Sequence, residues 1–172
     1  PGQFDLRPYG HPEAARLGVP VWSEIELAWQ VQAPLPGGGY APWLALTGTN
    51  GKTTTVSMLA TILATAGERA PAVGNVGTPA ARVAAAGGVD ALPAELSSFQ
   101  LHATHSLAPE ASVVLNVAPD HLDWHGGYAN YAADKSRVYA RTTRACLYTP
   151  DARTRAMVED AEVAGGCLAV GI

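Results

Sequence analysis

Two lysines stand in a chain of 172 residues that carries nine arginines, and each sits where a compact cation or a reactive amine has chemistry to do. Lys52 lies in "ALTGTNGKTTT", Ala45 to Thr55. An apolar run ends in glycine, a second glycine follows, and a Lys-Thr pair opens a segment of helical period. Backbone N–H groups and a helix N-terminus would converge there on phosphate oxygens. The strict phosphate-loop pattern G-x-x-x-x-G-K-[ST] fails, because Leu46 occupies its first glycine position; the shorter G-x-x-G-K-T of Gly48, Thr49, Asn50, Gly51, Lys52 and Thr53 survives. In that reading Lys52 neutralises the terminal phosphates and the Thr53 hydroxyl supplies an oxygen to a nucleotide-bound Mg²⁺. An ordinary strand-to-helix turn with a surface lysine has the same spacing.

The second lysine falls in "GGYANYAADKSRVYAR", Gly126 to Arg141. Tyr128, Tyr131, Ala132, Val138 and Tyr139 make a stripe at helical period, and Lys135 lies on it, seven, four and three residues after the first three. An amine turned inward is desolvated, which can lower its pKa from about 10.4 by roughly three and leave roughly a quarter of it neutral near pH 7. A neutral amine reacts with CO₂ to give a carbamate, an anion that binds metal. A lysine that snorkels its head to water satisfies the same pattern.

Two further clusters carry metal-binding or acid–base residue types. "ELSSFQL" puts Glu95 just after an apolar run, near the carboxyl end of a strand, where open α/β sheets bind ligands. "NVAPDHLDWHG" follows another such run and gathers Asp120, His121, Asp123 and His125, suited to a hard cation or a nucleotide's metal. Asp120 as the cap of a short helix and His125 as a solvated turn residue are the plain structural readings.

The elements that must position these residues alternate. After a helix over Val21 to Gln32 and the linker-like "APLPGGGYAP", strand candidates "APWLALTG", "RAPAVGN", "VDALPAEL", "ASVVLNV", "ACLYT" and "CLAVG" are interleaved with helices. Those helices run from about Thr53 to a Gly67 cap, then near 78–86, 127–141 and 151–161. The pattern predicts an α/β fold with a mostly parallel sheet flanked by helices. Pro93 lies inside the run before Glu95, where a central strand would lack its N–H.

Composition narrows the function classes. A chain 48% hydrophobic and 15% charged folds to a globule, and a net charge of -4 without a basic cluster offers nothing to nucleic acid. No apolar stretch reaches the roughly 20 residues of a membrane span and no signal peptide pattern opens the chain, so the expectation is a soluble cytoplasmic protein. Cys146 and Cys167 read as buried small hydrophobes.

The string T-G-T-N-G-K-T, followed by G-N-V-G, E-L-S-S-F-Q-L, D-H-L-D and a Y-x-x-x-K helix, resembles the Mur ligases over nearly the whole chain. "ELSSFQL" and "NVAPDHLDWHGGYANYAADK" resemble the branch that joins D-glutamate to UDP-N-acetylmuramoyl-L-alanine in peptidoglycan synthesis. The family's phosphate loop is the shorter form, so Leu46 is no defect. The resemblance implies a P-loop central domain at 37–172, incomplete, preceded at 1–36 by the tail of a Rossmann-like uridine-binding domain and a linker. It implies an ATP-dependent amide ligase working through an acyl phosphate, with Gly48 to Thr54 cradling ATP and Lys52 acting as the γ-phosphoryl moves. Thr53 and Glu95 would hold one Mg²⁺, and His121 with carbamylated Lys135 a second. Gly2, Asn75, Ser97, Gln100 and His121 match positions that contact the sugar-nucleotide substrate. Its partners would be small molecules alone, and a monomer is expected. The fragment by itself would not turn over, since a glutamate-binding C-terminal domain and the adenine contacts are missing. Another Mur ligase, a folylpolyglutamate synthase-like ligase, a P-loop switch or motor ATPase and a non-catalytic nucleotide-binding scaffold are the alternatives.

Overall fold

The computed structural model describes residues 12–160 and 168–172. In chain order the elements are α1 (Pro12–Leu17), α2 (Glu24–Gln30), β1 (Trp43–Thr47), α3 (Lys52–Thr65), β2 (Val73–Gly74), α4 (Ala80–Ala86), β3 (Leu92–Glu95) and α5 (Ser98–His102). There follow β4 (Ala111–Val114), α6 (Leu122–His125), α7 (Tyr128–Ser136) with a 3₁₀ turn at Arg137–Tyr139, β5 (Ala145–Tyr148), α8 (Ala152–Asp160) and β6 (Leu168–Gly171). The described strands make one parallel sheet in the order β2-β3-β1-β4-β5-β6, the α/β class expected. Each parallel neighbour needs a crossover, which the helices supply. No described helix is long and apolar enough to cross a membrane.

Strand alternation decides which side chains meet. Trp43, Ala45 and Thr47 of β1 share a face with Leu92 and Ala94 of β3 and with Ser112 and Val114 of β4, by their register. That face carries the main core, to which α2 contributes Ile25 and Ala28 and α7 contributes Tyr131. The opposite face presents Leu44, Leu46 and Glu95 toward α3. There Met58 and Ile62 stay exposed beside an apolar groove of about 370 Å³.

Pro93 is accommodated in this interior strand by the same alternation. Leu92 and Leu96 donate to the Pro42 and Leu46 carbonyls on the β1 side, so Pro93 faces the other neighbour. That neighbour, β2, starts only at Val73, opposite Ala94. The missing N–H falls where no ladder bond is required, and Glu95 keeps its place at the strand end.

α3 closes as its sequence predicts. Gly67 adopts φ 93°, its N–H meets the Ala64 carbonyl, and Glu68 N–H returns to Leu63, the six-to-one and five-to-two pair of a Schellman cap. α2 is shorter than its apolar pattern, starting at Glu24 behind a Ser23 cap. Although Leu27 and Val31 belong to its apolar pattern, they are 43% and 42% exposed; the buried stripe is Ile25, Ala28 and Glu26.

Glu26 is 2% exposed. Its carboxylate accepts from the backbone N–H groups of His105 and Ser106, the Ser106 hydroxyl and the Gln30 amide. Burial by itself would raise its pKa, but those hydrogen bonds outweigh it and hold the group at about 2, against an ordinary 4.5. With the folded pKa below the unfolded one, the stabilisation is complete above about pH 4.5 and is lost as pH falls toward 2. Glu26→Gln is expected to lower stability by about 2–3 kcal/mol at pH 7. It should also flatten the acid limb of a urea-denaturation series, and an unchanged acid limb would contradict this account.

Candidate functional site

β1 delivers Thr47 to the edge of the sheet, and the chain turns through Gly48 to Gly51 into α3. Gly51 caps the helix at φ 81°, a conformation open to glycine. A Cβ on Gly48 would come within 3.1 Å of the Leu115 side chain. The first helical bond runs from Thr55 N–H to the Gly51 carbonyl, so the N–H groups of Lys52, Thr53 and Thr54 point out of the helix start, a ready anion site.

Asn116, which the sequence reading passed over, organises the rest of the loop. Its Oδ1 accepts from Thr49 N–H at 3.1 Å and Asn50 N–H at 2.9 Å, and its Nδ2 donates to the Asn50 carbonyl at 3.0 Å. Two of the loop's N–H donors are thereby engaged, leaving the phosphate-facing role to those of the first turn of α3. The Thr49 hydroxyl is bonded to Ala118 and, at 2.9 Å, to the Tyr131 hydroxyl of α7. The legible signal for Asn116 was its position just beyond β4, at the carboxyl end of the sheet.

Both lysines close on this loop. Lys52 Nζ donates to the Thr49 carbonyl at 3.0 Å. Lys135 is 2% exposed; its Nζ donates to the Gly48 carbonyl at 2.9 Å and to Thr47 Oγ1 at 3.5 Å, and lies 4.7 Å from the Tyr131 ring centre. It is turned inward, as its helical position predicts, and does not snorkel to water. Burial first, then the charge of Lys52, push its pKa down from 10.5 to about 8, with Asp120 opposing. The neutral fraction near pH 7 is then about a tenth, smaller than the quarter anticipated.

Glu95 reaches the loop from the α3 face. Though 1% exposed, its carboxylate accepts, among the described residues, from uncharged groups alone: Thr53 Oγ1 at 2.9 Å and Asn75 Nδ2 at 3.0 Å. A buried carboxylate beside a hydroxyl at a helix start whose N–H groups are free to meet an anion is a donor set that suits Mg²⁺. Asn75 is held there because Gly74, at φ 99°, lets the chain pass so close that a Cβ would collide with the Glu95 carbonyl.

The other sequence candidates lie nearby with different attachments. Ser97 and Gln100 cap α5 reciprocally, the Gln100 Oε1 accepting from both the Ser97 N–H at 2.9 Å and its hydroxyl at 3.0 Å. His121 stands at φ 49° before α6, an uncommon conformation for a side-chain-bearing residue. It is 46% exposed in its side chain, with Nε2 3.4 Å from Asp120 Oδ2 and its ring 4.9 Å from that of Phe99. Among the described residues no hydrogen bond joins His121 to Lys135. His121, not Asp120, caps α6. His125, offered above as a solvated turn residue, is instead buried, because α6 turns its ring beneath Phe99, Trp124 and Tyr131. Gly2 and Cys167 lie outside the described residues; Cys146 is fully buried.

Known proteins resemble the chain in sequence and in fold. The family model described as Mur ligase middle domain matches residues 46–166. The UDP-N-acetylmuramoylalanine--D-glutamate ligase of Streptomyces avermitilis is 52% identical over 160 residues, covering 92% of this chain and 33% of that protein. The ligase of the same name from Streptomyces coelicolor is also 52% identical over 160 residues, covering 92% and 34%. The chain thus spans about a third of the length of the relatives it matches. Among solved structures, a MurF ligase from Thermotoga maritima in complex with ADP superposes with a TM-score of 0.62 at 20% identity, over 86% of this chain and 36% of that one; at that identity the likeness is one of fold.

Proposed function

Because this chain belongs to the Mur ligase family, carrying its middle domain, we propose that it is part of an ATP-dependent ligase that adds D-glutamate to UDP-N-acetylmuramoyl-L-alanine. The observation that carries the reading is the convergence of Lys52, Lys135 and the Thr53–Glu95 pair on one glycine loop. In this reading residues 1–36 end a uridine-binding domain with its linker, and 37–172 are part of the ATP-binding domain, acting in the cytoplasm where both nucleotides are found.

The N–H groups of Lys52, Thr53 and Thr54 hold the ATP phosphates, and Gly48, Thr49, Asn50 and Gly51 shape the loop around them. The alanyl carboxylate attacks the γ-phosphorus, displaces ADP and becomes an acyl phosphate. The D-glutamate amine then attacks the acyl carbon and inorganic phosphate leaves. Lys52 swings from the Thr49 carbonyl to the phosphoryl group, where a fixed cation stabilises charge that grows in the transition state. Ser97, Gln100 and Asn75 orient the sugar-nucleotide substrate, and His121 stands near its reacting carboxylate; Gly2 contacts the nucleotide from the preceding domain.

Thr53 and Glu95 would hold one Mg²⁺, with His121 and a carbamylated Lys135 holding the second; the ions supply charge neutralisation along the phosphate chain. Among the described residues no three His, Cys, Asp or Glu side chains gather as a metal cluster; phosphate oxygens and water would complete the coordination. Lys135 becomes a ligand by a balanced step: the neutral amine attacks CO₂, an N–C bond forms and one proton leaves. Its inward position and its pKa of about 8 support that step.

The test is an assay of the full-length protein with ATP, Mg²⁺, UDP-N-acetylmuramoyl-L-alanine and labelled D-glutamate. One ADP and one phosphate per amide bond are expected, with no turnover when D-glutamate is replaced by L-alanine or diaminopimelate. ATP hydrolysis indifferent to the acyl acceptor would favour a P-loop ATPase instead.

A further inference from the structure

Beside the phosphate loop lies a chain of buried polar groups that the proposed chemistry does not use. Asp134, the residue before Lys135 in α7, accepts from two histidines. His125 Nδ1 is 2.8 Å from Asp134 Oδ2, and His102 Nδ1 is 2.9 Å and 3.0 Å from Oδ1 and Oδ2. His125 Nε2 is 3.0 Å from the Ser98 hydroxyl. Ser98 and His125 are both buried, so the row is sealed from substrate and does not act as a nucleophile.

The hydrogen bonds can be oriented. Two imidazole Nδ1 atoms converge on the Asp134 carboxylate oxygens, which accept, so His125 Nδ1 is the donor. Burial outweighs Asp134 in pushing the His125 pKa down, so the ring is neutral and its Nε2 carries a lone pair. Ser98 must therefore donate: Ser98 O–H to His125 Nε2, His125 Nδ1–H to Asp134. This ordered row links α5, α6 and α7, the three elements next to or bearing Ser97, Gln100, His121 and Lys135. α5 has only five residues, too few to hold a helix without tethers. Its further attachments include its own capping box, His102 on Asp134, and the Arg137 guanidinium, which donates to the Leu101 and Thr104 carbonyls. The glycine loop is held by Asn116 and by Tyr131 and Lys135 of α7, and among the described residues it makes no hydrogen bond to α5.

We propose that Ser98, His125 and Asp134 are positioning residues: their ordered hydrogen bonds fix the substrate-binding end of α5 against α7, and so set affinity for the sugar-nucleotide substrate but not for ATP. This rests on the ligase reading for its kinetic consequence, while the bond order itself stands apart from it.

The experiment has two arms on the full-length protein. In the first, ¹⁵N NMR of wild type at pH 7.5 reads the His125 ring. A protonated Nδ1 and a bare Nε2 are expected, and a protonated Nε2 overturns the row. In the second, His125→Phe keeps ring volume and removes both polar atoms, Ser98→Ala removes the donor, and His125→Gln keeps one donor and one acceptor. His125→Phe and Ser98→Ala should each raise KM for UDP-N-acetylmuramoyl-L-alanine about tenfold while KM for ATP moves less than about twofold. The double variant should be no worse than the poorer single one, since the two remove one connection, and His125→Gln should recover most of the loss. Equal increases in both KM values, or additive losses, would make the cluster mere packing and overturn the proposal. If wild type forms no amide, the ligase reading falls, and the ring protonation still decides the row.

Discussion

Replacing Lys135 with alanine in the full-length protein is expected to cut amide-bond formation by on the order of 10³-fold or more, with acetate or bicarbonate restoring part of the loss. The side chain enters the glycine loop from the core face of the sheet, donating to the Gly48 carbonyl, and among the described residues no anion is hydrogen-bonded to it. A buried ammonium so placed is costly in the empty protein. It acquires a use when converted to a carbamate, where it can share a cation with the nucleotide. A small carboxylate diffusing into the space left by alanine can stand in for that anion, which a generic packing role would not allow. Wild-type rates in the variant would end the carbamate hypothesis.

The same burial makes a stability prediction of opposite sign. The folded pKa of about 8 lies below the ordinary 10.5, so the folded state binds fewer protons between those values. Wild-type stability therefore rises from about pH 8 to 10.5. Below pH 8 the charged amine costs the fold about 3 kcal/mol. Lys135→Met, which keeps the volume without the charge, is expected to be inactive and yet more stable at pH 7 by about 1–3 kcal/mol. It should also lose the alkaline rise. Thermal melts of both proteins across pH 6 to 10 check this, and a less stable methionine variant would mean that the amine's hydrogen bonds outweigh its desolvation.

The second large effect is expected at Lys52. Lys52→Ala should lower kcat by on the order of 10²- to 10³-fold, because the charge it neutralises grows as the phosphoryl group leaves. A rise in KM for ATP with kcat unchanged would mark Lys52 as a binding residue only. The two lysines are also coupled electrostatically. The Lys52 charge is, after burial, what holds the Lys135 pKa down. Its removal should let that pKa climb from about 8 back toward 10.5, shifting the alkaline titration of Lys135 upward. A ¹³C label on the Lys135 side chain reports it directly.

The sequence by itself determined a good deal. The alternation of apolar runs and helical stretches specified a parallel α/β sheet, because each signal is local: a period of two or of 3.6, a glycine at a cap, a lysine on a stripe. The glycine loop with Lys52, the acidic strand end at Glu95 and the inward turn of Lys135 were legible for the same reason. What stayed hidden involves partners remote in the chain. Asn116 engages Thr49 and Asn50 across 67 and 66 positions, and nothing near it announces the pairing. Asp134 carried no signal of its own in the sequence, since its partners His102 and His125 close on it from two other helices. His125 was open to reading as a turn residue because its burial depends on rings from two other elements, α5 and α7, and that of Glu26 on N–H groups supplied by residues 105 and 106. The faces of the sheet are the clearest case. Glu95 pairs with Leu46 and so points toward α3, whereas Thr47, one residue on, points toward Lys135. A one-residue change of register would have put both on the wrong sides. That the carboxylate and the amine approach one phosphate loop from opposite faces was therefore settled by strand pairing, a non-local choice that no window of sequence contains.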